Sequence, residues 1–108
     1  MSSLYARYVK EKYGQETIEE EYGFITYILS DTVCRVETLY VTPEARRSGI
    51  GTSLGNRLVE ELPKTIKYLV CEIDTSALHG LESFAAIASF GFEILNTNGS
   101  LITMVKYL

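Results

Sequence analysis

Residues 36–51 read VETLYVTPEARRSGIG, a β-branched run followed by a basic loop that contains two glycines. Gly49 and Gly51 lie two residues apart and let the backbone turn tightly and approach a ligand closely. A helical pattern follows, and the start of a helix offers unpaired N–H groups and the positive end of its dipole to a phosphate. Arg46 and Arg47 add positive charge. The stretch predicts a strand, a phosphate-binding loop and a helix, although an ordinary turn uses the same residue types.

The flanking sequence predicts an alternating order of helices and strands. Helical spacing of apolar residues, with Ser2 or Ser3 as a possible first cap, predicts helices over residues 4–13, 51–62 and 81–90. Strands are expected over residues 23–30, 33–41, 68–73, 92–95 and 101–106. The nearly continuous apolar run 68–73 favours a strand covered on both faces. A helical crossover joins it to strand 33–41, so the two are expected to run parallel.

Composition and charge narrow the classes of protein. The chain has 108 residues, 46% of them hydrophobic, which suffices for one domain over residues 1–108. A net charge of −4, with Arg46-Arg47 as the only basic cluster, argues against a nucleic-acid partner. No apolar run approaches the ~20 residues of a membrane span, and the first residues form no leader pattern. We therefore expect no membrane partner and a cytoplasmic location.

The cysteines and the single histidine predict little chemistry. Cys34 and Cys71 have neither metal-ligand nor redox spacing, so two buried thiols on strands and no metal site are expected. His79 lies in a predicted loop without a nearby nucleophile pattern, and we interpret it as a solvated side chain.

The wider string resembles the central motif of the GNAT family of N-acetyltransferases, Arg/Gln-x-x-Gly-x-Gly/Ala, with Arg46, Gly49 and Gly51 at its fixed positions. Residues 89–93 (SFGFE) and 101–108 resemble the family's helix ending and closing strand. The resemblance covers roughly residues 23–108 and implies an α/β acyl-CoA N-acyltransferase fold, shortened at its N-terminus. That fold has a mixed sheet of about five or six strands with a splayed parallel central pair and about three helices.

The resemblance also implies a site for acetyl-CoA as cosubstrate. The pyrophosphate is expected on the loop Arg46, Arg47, Ser48, Gly49, Ile50, Gly51 and Thr52. The pantetheine is expected on the backbone of Leu39, Tyr40 and Val41, where an N–H would stabilise the developing oxyanion. Ser83 is a further candidate contact, although a serine at such a helix position is more often a packing residue.

Catalysis by direct attack of an amine requires a proton acceptor. Glu37 matches a glutamate that several small-amine acetyltransferases use, although a solvated or ion-paired carboxylate remains the alternative. Glu72 on the neighbouring strand is the second candidate.

Two positions depart from the family pattern. Ile87 stands where many members have a tyrosine that protonates the coenzyme thiolate, and Gly80 stands where an asparagine often contacts the cofactor. Tyr40 and Tyr68 are the candidates to replace the missing acid. The leading interpretation is an acetyl-CoA-dependent N-acetyltransferase acting on a primary amine, in a small molecule or a peptide. The alternative is a catalytically weak or inactive coenzyme-binding module that acts through a protein partner.

The N-terminal segment predicts self-association. Tyrosines are dense there, and the shortened N-terminus leaves a sheet edge and apolar surface uncovered. We therefore expect a homodimer. The tyrosines concerned are Tyr5, Tyr8, Tyr13 and Tyr22.

Overall fold

The computed structural model describes residues 3–108, over which three α-helices pack on one six-stranded sheet. The helices are α1 (Leu4–Tyr13), α2 (Ile50–Glu61) and α3 (Gly80–Ser89). The strands are β1 (Glu16–Glu20), β2 (Gly23–Ser30), β3 (Val33–Val41), β4 (Tyr68–Asp74), β5 (Glu93–Asn98) and β6 (Leu101–Tyr107). The sheet order is β1-β2-β3-β4-β6-β5, and β3-β4 is a parallel pair among antiparallel ones. The predicted mixed sheet with a parallel central pair is confirmed.

The core lies between the sheet and the helices α2 and α3. The predicted apolar stripe of α2 is confirmed, because Leu54 and Leu58 are fully buried and Ile50 and Leu62 are half-buried against the same cluster. Among the described residues, no helix combines the length and the apolar character needed to cross a lipid bilayer.

Helix α1 packs on the other face of the sheet. Its Tyr5 ring lies 4.9 Å from that of Phe24 on β2, and Val9 is buried. Ser3 caps the helix by accepting a hydrogen bond from the Ala6 N–H at 2.9 Å. The alternative cap, Ser2, lies outside the described residues.

Strand β1 was not predicted. It pairs with β2 through the short turn at residues 21 and 22, so the sheet edge on this side is β1 rather than β2. Three of its five residues are glutamates, which disfavour strands, and the turn lacks the glycine or asparagine that signals a hairpin. Tertiary packing outweighs these local propensities, because Ile18 is 3% exposed and lies in the core.

The expectation that β4 is covered on both faces is wrong. Leu69, Cys71 and Ile73 are buried under the helices, whereas Tyr68 and Glu72 on the other face are exposed. The reason is the position of α1, which packs mainly against β1. The last hairpin is also shifted. Its first strand is Glu93–Asn98, later than the predicted 92–95.

Candidate active site

The central parallel strands separate, as predicted. β3 and β4 pair over residues 33–35 and 68–70, and both strands continue beyond the last pair, Arg35 with Val70, without pairing to each other in the described structure. A cavity of about 640 Å³ opens on the helix side of this gap, between α2 and α3. A separated parallel pair exposes backbone N–H and C=O groups that a ligand can use.

The glycine loop forms an open cradle at the mouth of this cavity. Gly49 precedes α2 in the left-handed conformation, with φ of 86°, and the first helical bond runs from the Ser53 N–H to the Gly49 carbonyl at 2.9 Å. The N–H groups of Ile50, Gly51 and Thr52 therefore lack intrahelical acceptors. A Cβ built on Gly49 or Gly51 would meet no heavy atom within 4 Å. Free donors, open space and the positive end of a helix fit a pyrophosphate.

The structure brings ten of the eleven sequence-predicted cofactor residues to this one cavity. They are Leu39, Tyr40, Val41, Arg46, Arg47, Gly49, Ile50, Gly51, Thr52 and Ser83. The eleventh, Ser48, does not line the cavity, and its hydroxyl donates a hydrogen bond to the Ala45 carbonyl.

The two loop arginines differ in conformation. The Nε of Arg46 donates to the Val41 carbonyl at 3.1 Å, which ties the loop back to the end of β3. Arg47 is held at φ of 65°. A left-handed non-glycine residue costs about 1 to 3 kcal/mol, and such strain concentrates at ligand-binding loops. Both side chains are exposed and can move toward an anion.

Glu37 lies in a β-bulge at the gap between the strands. Thr26 of β2 pairs with Thr38, but Tyr27 pairs with Val36, so Glu37 is the extra residue on β3. Bulges of this kind redirect side chains and are frequent beside active sites. Glu37 does not line the cavity, because it lies with Arg35 on the face opposite the helices.

One guanidinium joins both candidate bases. Arg35 contacts Glu37 through Nε at 3.0 Å and Glu72 through Nη2 at 3.2 Å. Sequence reasoning named both carboxylates but not the arginine between them. The sequence signal for Arg35 is the alternation of side chains along β3, which puts Arg35 on the face opposite its buried neighbour Cys34.

The two departures from the family pattern have different physical settings. Ile87 lines the cavity and is half-buried against the core, and its apolar side chain cannot donate a proton. Gly80 is buried, and a Cβ on it would lie 2.2 Å from the carbonyl oxygen of Asp74. Of the tyrosines considered as replacement acids, Tyr40 lines the cavity, but its ring packs against Phe24 at 5.7 Å on the face that α1 covers. The Tyr68 ring packs edge-on against Tyr107 at 5.6 Å.

Two ionisable residues of the cavity were not assigned to the site from the sequence: His79, interpreted as a solvated side chain, and Glu82. His79 precedes α3 at φ of 62°, and its Nδ1 lies 3.5 Å from a Glu82 oxygen. Both line the cavity. The sequence signal for these two residues is their position between β4 and α3. Because β3 and β4 are parallel, the end of β4 and the start of α3 must lie at the same sheet edge as the glycine loop.

The cysteines are buried thiols, as predicted. Burial raises the pKa of Cys34 to about 12, and burial, opposed by Arg35, raises the pKa of Cys71 to about 11. Cys71 lines the cavity but is protonated at neutral pH, so it is a poor nucleophile for a covalent acyl intermediate. Within residues 3–108, no group of three or more His, Cys, Asp or Glu side chains is arranged to hold a metal ion.

The comparison with protein families gives one assignment. Residues 8–92 match the model of the acetyltransferase (GNAT) family. No curated protein sequence matches the chain significantly.

Solved structures share the fold. An acetyltransferase from Thermus thermophilus aligns with a TM-score of 0.78 at 15% identity, over 94% of this chain and 70% of that one. The N-acetyltransferase PaiA from Thermoplasma acidophilum, in complex with coenzyme A, aligns with a TM-score of 0.68 at 22% identity, over 81% and 54%. A GNAT family acetyltransferase from Elizabethkingia anophelis with acetyl-CoA bound aligns with a TM-score of 0.74 at 13% identity, over 98% and 86%. The chain is thus shorter than each of these relatives, and it spans little more than half the length of PaiA.

Proposed function

The chain belongs to the acetyltransferase (GNAT) family, and from that premise we propose that it transfers an acetyl group from acetyl-CoA, the cosubstrate of this family, to a primary amine. The observation that carries the proposal is the open cradle of Gly49 and Gly51 at the mouth of the cavity between β3 and β4. The amides of residues 50–52 would hold the pyrophosphate, and the unpaired edge of β3 would hold the pantetheine.

The two reactants would meet in the gap beyond Arg35 and Val70. The cofactor cavity lies on the helix side of the sheet, whereas Glu37 and Glu72 lie on the other side. An amine that enters from the carboxylate side can therefore reach the gap without crossing the cofactor. The bulge at Glu37 places its carboxylate next to this gap, which suits a general base that acts directly or through one water.

Arg35 would position that base. Its Nε lies 3.0 Å from Oε1 of Glu37 and would hold the carboxylate beside the gap, where it can accept the proton of the amine. An N–H near Tyr40 or Val41 would stabilise the negative charge that develops on the thioester oxygen. Acetyl-CoA, when bound, supplies the activated acyl carbon and the thiolate leaving group.

The leaving thiolate requires a proton, and Ile87 cannot give one. Tyr40 lines the cavity, but its ring packs against Phe24 on the opposite face of the sheet, so we assign this role to an ordered water rather than to the Tyr40 hydroxyl. Loss of a general acid typically costs about 10²- to 10⁴-fold in rate, so slow turnover is expected.

A second function has a specific observation behind it. Arg35 forms an ion pair with both candidate bases, and Ile87 replaces the usual acid, which together suit a coenzyme-binding module without turnover. Such a module would act through a protein partner.

Release of free thiol from acetyl-CoA with a panel of amines tests both functions. The panel includes a polyamine, an aminoglycoside, an amino acid and peptides with a free N-terminus or a lysine. Turnover of any of them supports the enzyme. Calorimetric binding of acetyl-CoA without turnover of any amine supports the second function.

Glu37→Gln tests the base, and Glu72→Gln is its matched control because both residues pair with Arg35. We expect Glu37→Gln to lower the rate by about 10²-fold or more at unchanged acetyl-CoA affinity, since the residue faces the amine. Glu72→Gln should retain the rate within a few-fold. Equal losses of rate in the two variants would show that the rate depends on the ion pair with Arg35 rather than on Glu37 as the proton acceptor.

A further inference from the structure

The cavity extends deeper than the gap where the strands separate. Leu69 lines it, yet Leu69 pairs with Cys34, before the last β3-β4 pair. Leu58 of α2 lines it as well, and both leucines are 1% exposed. The space therefore continues on the helix side behind the point at which an amine can reach the cofactor.

The walls of this inner part are apolar. Ile87 and Phe92 line the cavity together with the two leucines, and Val36 and Cys71 line it just beyond the last β3-β4 pair. The Cys71 side chain is a neutral thiol at physiological pH, because burial raises its pKa to about 11. A surface of this kind favours a hydrocarbon over a polar ligand, since polar groups placed there would lose their contacts with water.

The Phe90 ring lines the cavity where α3 meets α2. The Phe90 ring at the end of α3 lies directly against α2, where a Cβ on Gly55 would be only 2.8 Å from its Cζ. The Lys106 ammonium lies over the same ring, 5.3 Å from its centroid, and donates to the Phe90 carbonyl at 3.2 Å. Contact with α2 and with β6 holds the ring in place.

We propose that this inner part is an acyl pocket whose depth is set by Phe90, so that the protein accepts straight acyl chains longer than acetyl. The proposal rests on the proposed function, because it places the thioester of a coenzyme A donor at the strand gap. The reaction is unchanged in type. The amine nitrogen forms a bond to the acyl carbon, the carbon–sulfur bond breaks, and the proton lost by the amine is balanced by one gained by the thiolate.

Calorimetry with non-hydrolysable thioether analogues of acetyl-, propionyl-, butyryl- and hexanoyl-CoA tests the pocket without turnover. We expect affinity to rise about three- to fourfold for each added methylene until the chain meets Phe90 and then to fall. Affinity that falls from propionyl onward, while the acetyl analogue still binds, refutes the pocket. Failure of the acetyl analogue to bind would instead refute the proposed function.

Two substitutions should move the optimum in opposite directions. Phe90→Leu shortens the closing side chain and should shift the preferred chain to longer donors. Gly55→Ala adds a methyl that pushes the ring away from α2, toward the cavity, and should shift it to shorter donors.

Phe84→Leu is the control, because Phe84 lies on the same helix and is half-buried but does not line the cavity. Its chain-length profile should match the wild type. If Phe90→Leu and Phe84→Leu change the chain-length profile alike, Phe90 does not set the depth of the pocket. The same conclusion follows if Gly55→Ala leaves the profile unchanged. Gly55→Ala keeps the test decisive if Phe90→Leu fails to fold.

Discussion

Gly49→Ala should separate the stability of the loop from its ability to bind the cofactor. The φ of 86° at Gly49 belongs to the left-handed region, which costs a residue with a Cβ about 1 to 2 kcal/mol. The added methyl meets no atom within 4 Å, so no steric term is added to this backbone strain. We therefore expect urea unfolding to show a folded protein that is destabilised by about 1 to 2 kcal/mol.

Cofactor binding should suffer more. The methyl would enter the space in front of the amides of residues 50–52 and keep a phosphate from at least one of them. A hydrogen bond to a charged group contributes about 1.5 to 3 kcal/mol, so the dissociation constant for acetyl-CoA should rise roughly 10- to 150-fold. Isothermal titration calorimetry at fixed ionic strength measures it.

Gly51→Ala is the matched control. Gly51 also faces open space, but it lies inside α2 and has no positive φ. Alanine there raises helix propensity and should stabilise the protein by up to about 1 kcal/mol. The family pattern accepts alanine at this position, so affinity should change little. Wild-type affinity in Gly49→Ala, or an equal loss in Gly51→Ala, would refute the cradle.

Three further predictions concern folding and assembly. Gly80→Ala should destabilise the protein by at least about 2 kcal/mol in urea, because its Cβ meets the Asp74 carbonyl at 2.2 Å; a neutral result would mean that the turn after β4 relaxes freely. The raised pKa values of Cys34 and Cys71 mean that the folded state binds their protons more tightly than the unfolded state. Their contribution to the free energy of unfolding is therefore complete below pH ~8.5 and is lost toward pH 11 to 12. Stability should fall by about 1.4 kcal/mol per pH unit for each thiol in that window, and the slope should flatten in Cys34→Ala and Cys71→Ala. Light scattering at micromolar concentration should show a homodimer, since the tyrosines of α1 remain exposed, and a monomer would contradict this.

The proposed cofactor half of the site could be located from the sequence because it is built from local backbone. Glycines at positions 49 and 51 ahead of a helix determine where amides point without reference to distant residues. The strand before them and the crossover after them follow from short sequence patterns. Ser48 shows the limit, because its position in the motif does not reveal that its hydroxyl turns to the Ala45 carbonyl.

The proposed catalytic half could be located only in part, because it depends on register. The sequence shows glutamates on two strands, but the bulge that puts Glu37 opposite no residue of β2 arises from pairing with a distant segment. The same pairing brings Arg35 between Glu37 and Glu72. Strand β1 was missed for a similar reason, since burial of Ile18 outweighs the low strand propensity of its glutamates.

The two departures from the family pattern do not carry equal weight for catalysis. At Gly80 the Asp74 carbonyl occupies the place where a side chain would begin, so the missing asparagine follows from packing. A contact from this end of α3 must come from a neighbour that lines the cavity, such as His79 or Ser83. Ile87 lines the cavity itself. Its apolar character is therefore a property of the site, and it is the residue at which the proposed loss of the general acid coincides with the proposed acyl pocket.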